Sequence, residues 1–277
     1  MFHAKVHTMN SKWGVLGYGQ MAQSMVRPWL EGGILQPEQV VACIRDHGRA
    51  AALRQRDGVA VGVDLRPVLM ADHLLLACKP QQLQMVLEAR AALDPPAQEG
   101  QGLVMSILAG VSLGRLQAAF PQRPCVRAMP NIACRIRAGL TGLALATNVS
   151  PEQGQLVTDL FAALGQVEQV SEAQMDGFLA LAASGPAMIA VMMEALADGG
   201  VAAGLPRARA QAIAQAMVAG TTALLQKERL PPSALKDAVC SPGGTSIAAV
   251  AELERRGFRA ALMDAILAAQ RRSRELG

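Results

Sequence analysis

Aromatic residues are scarce in this 277-residue sequence: two Trp, one Tyr and five Phe make up 3% of it. Few rings are available for bases to stack on, and no run of Lys and Arg is longer than two. With 26 Lys+Arg against 22 Asp+Glu, the net charge of +4 is too small and too dispersed for a polynucleotide. No nucleic-acid partner is expected. Cys43, Cys78, Cys125, Cys134 and Cys240 are odd in number and contain no Cys-x-x-Cys pair. That spacing offers neither a disulfide framework nor a metal site, and predicts buried free thiols in a reducing cytoplasm. The segment Met1 to Thr8 lacks the apolar stretch of a signal peptide. His3 and His7 within it read as tail residues, not as metal ligands. Long uncharged runs are also missing, except for the 17 residues from Gly177 to Met193. These fall short of the ~20 needed to cross a bilayer, and Ser184-Gly185-Pro186 interrupts them. No membrane partner is expected. A helix apolar on nearly every face is read instead as buried, in a subunit interface.

What is present is a 51% hydrophobic chain rich in small aliphatic residues, with a regular alternation in its first part. Strands are predicted at 12–16, 39–44, 74–78, 103–107, 125–128, 139–147 and 166–170. Helices are predicted at 20–30, 49–56, 81–92 and 113–120, with a further one opened by the Ser150-Pro151 cap. Alternating strands and helices, several strands being apolar throughout, predict an α/β parallel sheet covered on both faces. From Ser171 the pattern changes to Ala-, Leu- and Met-rich helical segments at 175–197, 207–227, 233–239 and 244–271. The expected division is a Rossmann-type dinucleotide-binding domain at 1–170 and an all-helical dimerisation and substrate-binding domain at 171–277.

Two motifs carry chemistry. The first is Gly17-Tyr18-Gly19-Gln20-Met21-Ala22, between a predicted strand and a predicted helix. Gly17 permits the tight turn, Gly19 lets the backbone approach a diphosphate, and the small Ala22 keeps helix and strand close. The helix N-terminus would then hold the diphosphate. Cofactor choice is read about 20–25 residues further on, at Cys43-Ile44-Arg45-Asp46-His47-Gly48-Arg49. Arg45 and Arg49 favour the additional phosphate of NADP(H), while Asp46 keeps NAD(H) as the alternative. The second motif, Ser241-Pro242-Gly243-Gly244-Thr245-Ser246, opens a helix with backbone and hydroxyl donors suited to a carboxylate.

With further segments, these motifs resemble the pyrroline-5-carboxylate reductases, which complete proline biosynthesis. The resemblance runs from about Lys12 to Gly277. It includes Ala77-Cys78-Lys79-Pro80-Gln81, Ala109-Gly110-Val111, Arg127-Ala128-Met129-Pro130-Asn131, Ser184-Gly185-Pro186-Ala187 and Glu194-Ala195-Leu196-Ala197-Asp198. It implies an oxidoreductase with a Rossmann-type domain and a helical domain that intertwines with its partner in a homodimer, with higher assembly common. By resemblance, Gly17, Tyr18, Gly19, Gln20, Met21, Arg45, Asp64, Ala77, Cys78, Lys79, Pro80, Leu108 and Ala109 would contact the cofactor. Ser241, Gly243, Gly244, Thr245 and Ser246 would hold a small cyclic imino acid. The chain departs from the family in placing Ser246 where threonine is usual and Asp64 where asparagine is frequent. It also has Ala182-Ala183-Ser184-Gly185-Pro186-Ala187-Met188 for Ser-Gly-Ser-Gly-Pro-Ala-Tyr, and Ile132-Ala133 for Thr-Pro.

A protonated cyclic imine accepts hydride readily, so alignment matters more than a strong acid. Ser246 is the expected catalytic hydroxyl, hydrogen-bonding the ring nitrogen. His73 is read as a strand start and His47 as a surface turn. Arg127, Arg135 and Arg137 are read as solvated loop charges. Two alternatives remain: a non-catalytic dinucleotide-binding regulatory paralogue, and a reductase of another cyclic imine. A β-hydroxyacid dehydrogenase would need a lysine on a second-domain helix, but beyond residue 170 only Lys227 and Lys236 occur, beside a Pro-Pro break.

Overall fold

The computed structural model describes residues 11–92 and 100–276. Met1 to Thr8, with His3 and His7, lie outside the described residues, as does Gly277. Two compact units are formed: residues 11–184 with 269–276, and residues 185–268.

In the first unit the elements follow as β1 (Trp13–Leu16), α1 (Gln20–Glu31), β2 (Val40–Cys43), α2 (His47–Asp57), β3 (Ala60–Gly62) and α3 (Arg66–Leu69). Then come β4 (His73–Leu76), α4 (Leu83–Ala91), β5 (Val104–Ser106), α5 (Leu113–Ala119), β6 (Cys125–Pro130), β7 (Gly139–Leu145), α6 (Pro151–Ala162), β8 (Gly165–Gln169) and α7 (Met175–Phe178). The eight strands lie in the order β3-β2-β1-β4-β5-β6-β7-β8. The first six follow the doubly wound order, in which the chain winds to one side from β1 and resumes on the other at β4.

Every residue of β1, β4, β5 and β6 is buried, as continuously apolar strands covered on both faces require. Val15, Leu75, Met105 and Val126 pack on one face with Met25, Trp29 and Phe161. Leu74, Leu76, Val104 and Cys125 pack on the other with Val86, Leu116 and Phe120. The rare aromatics thus become core anchors. Trp29 also donates its indole N–H to the Leu160 carbonyl, at 2.7 Å. Strand β3 escapes the alternation reading because Ala60-Val61-Gly62 is three residues with one buried side chain. Not all of the sheet is parallel, since β6 and β7 pair antiparallel. Only a 3-10 turn at Ile132–Ile136 joins them, and a parallel return needs a dozen residues or more.

Arg127 corrects the sequence reading. It is 3% exposed on β6, not in a solvated loop. Its guanidinium meets Glu172 at 3.0 Å and Asp176 at 3.2 Å. Glu172 also accepts from the Leu113 backbone N–H, and Asp176 from the Ser273 hydroxyl. The network therefore ties the sheet to the first turn of α5, to α7 and to the C-terminal end of the described chain. Arg135 and Arg137 are exposed, and Arg137 donates to the Pro28 carbonyl.

The expected interruption is seen as a bend at Ser184, between a π-helical turn at Leu179–Ala183 and a helix that begins at Gly185. The helical stretch around it is longer than expected, 31 residues over Glu172–Ala202. Pro186 has no N–H for the carbonyl of Ala182, and Asn131 Nδ2 donates to that carbonyl at 3.2 Å. By length and composition this run could cross a membrane, so the shortfall argued from 17 residues does not hold.

The second unit comprises α8 (Gly185–Ala202), α9 (Arg207–Glu228), α10 (Pro232–Val239), α11 (Thr245–Arg255) and the greater part of α12 (Phe258–Glu275). The single segment read over 244–271 is two helices, parted at Gly257, whose φ of +70° ends α11. Only Ala197 of α8 is buried within its own chain, so burial of this helix on every face, as expected in a subunit interface, would need a second chain. Val191, Ile213, Met217, Leu253 and Met263 are all more than 45% exposed.

Removing Arg127 strands two carboxylates in a partly buried network. Arg127→Leu is expected to cost about 3 kcal/mol in urea unfolding; an unchanged midpoint would show the network to be idle.

Candidate dinucleotide site

Register alignment places Leu16 beside Cys43 on β2 and Leu76 on β4. The residues that follow, Gly17, Ile44 and Ala77, therefore emerge together at the carboxyl edge of the sheet, where β1 and β4 diverge. Ligands bind at such a switch point in open α/β sheets.

Gly17 has φ +93°, and a Cβ there would lie 2.7 Å from the Cys78 backbone. Its N–H donates to the Cys43 carbonyl at 2.9 Å. Any side chain at Gly17 would force the turn off both neighbouring strands. A Cβ on Gly19, by contrast, would meet nothing within 4 Å. Gly19 caps α1 with no side-chain acceptor for the first-turn N–H groups. Uncapped donors of this kind, here at the start of a 12-residue helix, are suited to an anion. Ala22, 1% exposed, packs among Trp13, Val15 and Met25, which gives the close approach of α1 to the sheet.

A cleft of about 460 Å³ opens over this turn, within the range of small-molecule sites. It brings together Gly17, Tyr18, Gly19, Arg45, Ala77, Cys78 and Lys79 of the sequence-predicted cofactor residues. Asp46 and Arg49 also line it. Gln20, Met21, Asp64, Pro80, Leu108 and Ala109 are not among its lining residues. Gln20 and Met21 form the first turn of α1. Exposed Asp64 follows β3 and accepts from the Arg66 backbone N–H at 2.9 Å. Pro80 opens a 3-10 turn. Leu108 is 1% exposed in the core, and Ala109 follows it beyond β5. The Tyr18 ring turns inward and is fully buried. Burial first, and the Asp57 carboxylate second, raise its pKa above the ordinary phenol value. Burial likewise pushes the Cys78 thiol up to about 11, so this cleft cysteine is a neutral lining group. The half-buried Cys43, Cys78 and Cys240 depart from the fully buried thiols expected, while Cys125 and Cys134 conform.

Asp46 has a structural role beside the cleft. Its carboxylate accepts from the Arg49 N–H at 3.1 Å as the N-cap of α2. Arg45, Arg49 and Lys79 are exposed cations around the cleft. His47 is exposed at the start of α2. His73 is buried at the start of β4, where its Nδ1 accepts from the Leu103 N–H and its ring stacks on Trp13.

In the second unit, Gly244 caps α11, and Thr245 and Ser246 are its first two residues. Gly243 has φ +71°, and the Gly244 N–H donates to the Ser241 carbonyl at 3.1 Å. Ser241, Gly243 and Thr245 are exposed; Gly244 and Ser246 are half-buried. The turn places hydroxyls beside the N-terminus of an 11-residue helix, as the sequence reading required. The tertiary partners of Gln23, described below, were missed.

Comparison with known proteins agrees with this geometry. Residues 172–276 match the model for the pyrroline-5-carboxylate reductase dimerisation family. Residues 12–110 match that for the coenzyme F420-dependent NADP oxidoreductase family. A pyrroline-5-carboxylate reductase of Synechocystis is 42% identical over 97% of this chain and 99% of its own. That of Arabidopsis thaliana is 37% identical over 96% and 95%. The structure of Plasmodium falciparum pyrroline carboxylate reductase with NADP bound superimposes with a TM-score of 0.86 at 25% identity, covering 97% of this chain and 98% of that one. With a glycine turn, a cationic cleft and relatives matched from end to end, this chain belongs to the pyrroline-5-carboxylate reductase family.

Proposed function

We propose that the protein reduces 1-pyrroline-5-carboxylate to L-proline with NADPH. The single observation that carries the cofactor assignment is the pair of exposed arginines, Arg45 and Arg49, lining the cleft just after β2. NADPH, when bound, supplies the hydride. Gly17 and Gly19 keep the backbone low enough for a diphosphate to reach the N–H groups of α1. Arg45 and Arg49 neutralise a 2′-phosphate; Asp46 gives one carboxylate oxygen to the Arg49 N–H, and the two cations flanking it outweigh its single negative charge. Ala77, Cys78 and Lys79 wall the cleft from the β4 side, and Gln20, Met21, Asp64, Pro80, Leu108 and Ala109 complete the proposed contacts.

The substrate carboxylate fits the Ser241 to Ser246 turn, where Gly243 and Gly244 leave the backbone uncovered at the N-terminus of α11 and Ser241 and Thr245 add hydroxyls. Ser246 hydrogen-bonds the ring nitrogen and holds the proton that makes the imine a hydride acceptor. Hydride adds to the carbon of C=N, the π pair passes to nitrogen, and a secondary amine results. These roles assign dinucleotide binding to residues 1–170, and dimerisation and substrate binding to 171–277.

Two copies associating through the helical segment would cover the exposed Val191, Ile213 and Met217. Apolar exposure on this scale marks an interface, and the dimerisation-family match supports a second copy as its occupant. The unpaired cysteines support a reducing cytoplasmic setting.

Arg45→Ala/Arg49→Ala is expected to raise KM for NADPH at least about tenfold and leave NADH little changed; equal effects on both would remove the arginines from phosphate recognition. Ser246→Ala is expected to lower kcat about tenfold; an unaltered kcat would remove the hydroxyl from the reaction. Light scattering of the purified chain at micromolar concentration should give at least twice the monomer mass; a folded monomer would contradict the proposed interface.

A further inference from the structure

Gln23 is 6% exposed on α1 and is not among the residues lining the cleft, yet it makes three side-chain hydrogen bonds. Its Nε2 donates to the Tyr18 carbonyl at 2.8 Å. Its Oε1 accepts from Arg27 Nη2 at 3.0 Å and from Arg56 Nη2 at 2.9 Å. Two guanidinium donors on one oxygen leave a single orientation for the carboxamide, with its NH2 toward Tyr18. Asp57, whose side chain is 3% exposed, holds both arginines: Arg27 Nε at 3.1 Å and Arg56 Nε at 2.9 Å.

In a trans peptide the C=O and N–H point to opposite sides. Gln23 draws the Tyr18 carbonyl into the protein, so the N–H of the same peptide, that of Gly19, points the other way. Gly19 lines the cleft, and a Cβ there would project into open space. We infer that Gln23 is a positioning residue for the cofactor diphosphate: it fixes the Tyr18–Gly19 peptide with the Gly19 N–H presented to the cleft before any ligand arrives. Arg56 and Asp57 belong to α2, the helix that also carries Arg49, so the same network joins the phosphate turn to the element reading the adenosine end. The benefit of a prearranged donor is that binding does not spend energy on turning the peptide.

This inference rests on the dinucleotide reading above, and the test separates the two. Gln23→Glu keeps an acceptor for both arginines but removes the donor to Tyr18; Gln23→Met removes all three bonds at similar volume. Dissociation constants are measured for NADPH and for adenosine 2′-monophosphate, which lacks the diphosphate, alongside the thermal midpoint. In both variants NADPH is expected to weaken about tenfold, the value of one hydrogen bond to a charged group. Adenosine 2′-monophosphate should stay within about twofold of wild type. If Gln23→Met fails to fold, the Gln23→Glu variant decides. Unchanged NADPH affinity, or equal weakening of both ligands, overturns the positioning role. Wild-type protein that binds neither ligand overturns the dinucleotide reading, and this inference with it.

Discussion

A side chain at residue 17 would collide with the backbone at Cys78, and the dinucleotide half of the protein is arranged around that constraint. Because Gly17 fits, β1 ends flush against β4 and turns immediately into α1. The free N–H groups of α1 consequently face the carboxyl edge, where the ends of β2 and β4 also emerge. Arg45, Arg49 and Lys79 then surround one cleft, although they come from segments far apart in sequence. The strand ends, the helix terminus and the cations are thus fixed by one close backbone approach.

Much of this was legible because its causes are local. Strand–turn–helix alternation located β1, β2, β4 to β8 and the helices between them except the four-residue α3, and the glycine turn was marked by its spacing. The helix cap at Ser150-Pro151 also follows from neighbouring residues alone. The misses have equally definite causes. β3 is too short to show alternation, and the β6–β7 reversal depends on the length of a connection, not on strand composition. Arg127 was legible in principle: it alternates with Cys125 and Met129, both of which face the core, so the period-two rule places it inside. The Asp46 cap lay three residues before Arg49, the spacing at which an N-cap side chain accepts from the helix backbone.

Gln23 and the helical unit illustrate a different limit. A glutamine on an amphipathic helix reads as surface until Arg56, 33 residues away, folds back over it. No spacing rule contains that contact. The apolar run of α8 was visible in composition, but its exposure in the protomer was not. A helix with no charged face can be covered by its own chain, by lipid or by a second copy, and only the first of these is decided within one protomer. The dimerisation-family match supplies what periodicity lacks.

The central claim is hydride transfer to a cyclic imino acid. Its most direct measurement uses NADPH deuterated at the transferring position of the nicotinamide, with 1-pyrroline-5-carboxylate and the purified protein. Mass spectrometry and NMR of the product should show L-proline carrying one deuterium at the ring CH2 next to nitrogen and none at the α-carbon, with one NADPH consumed per proline formed. Absence of proline under saturating cofactor, or proline without the label, would contradict the account.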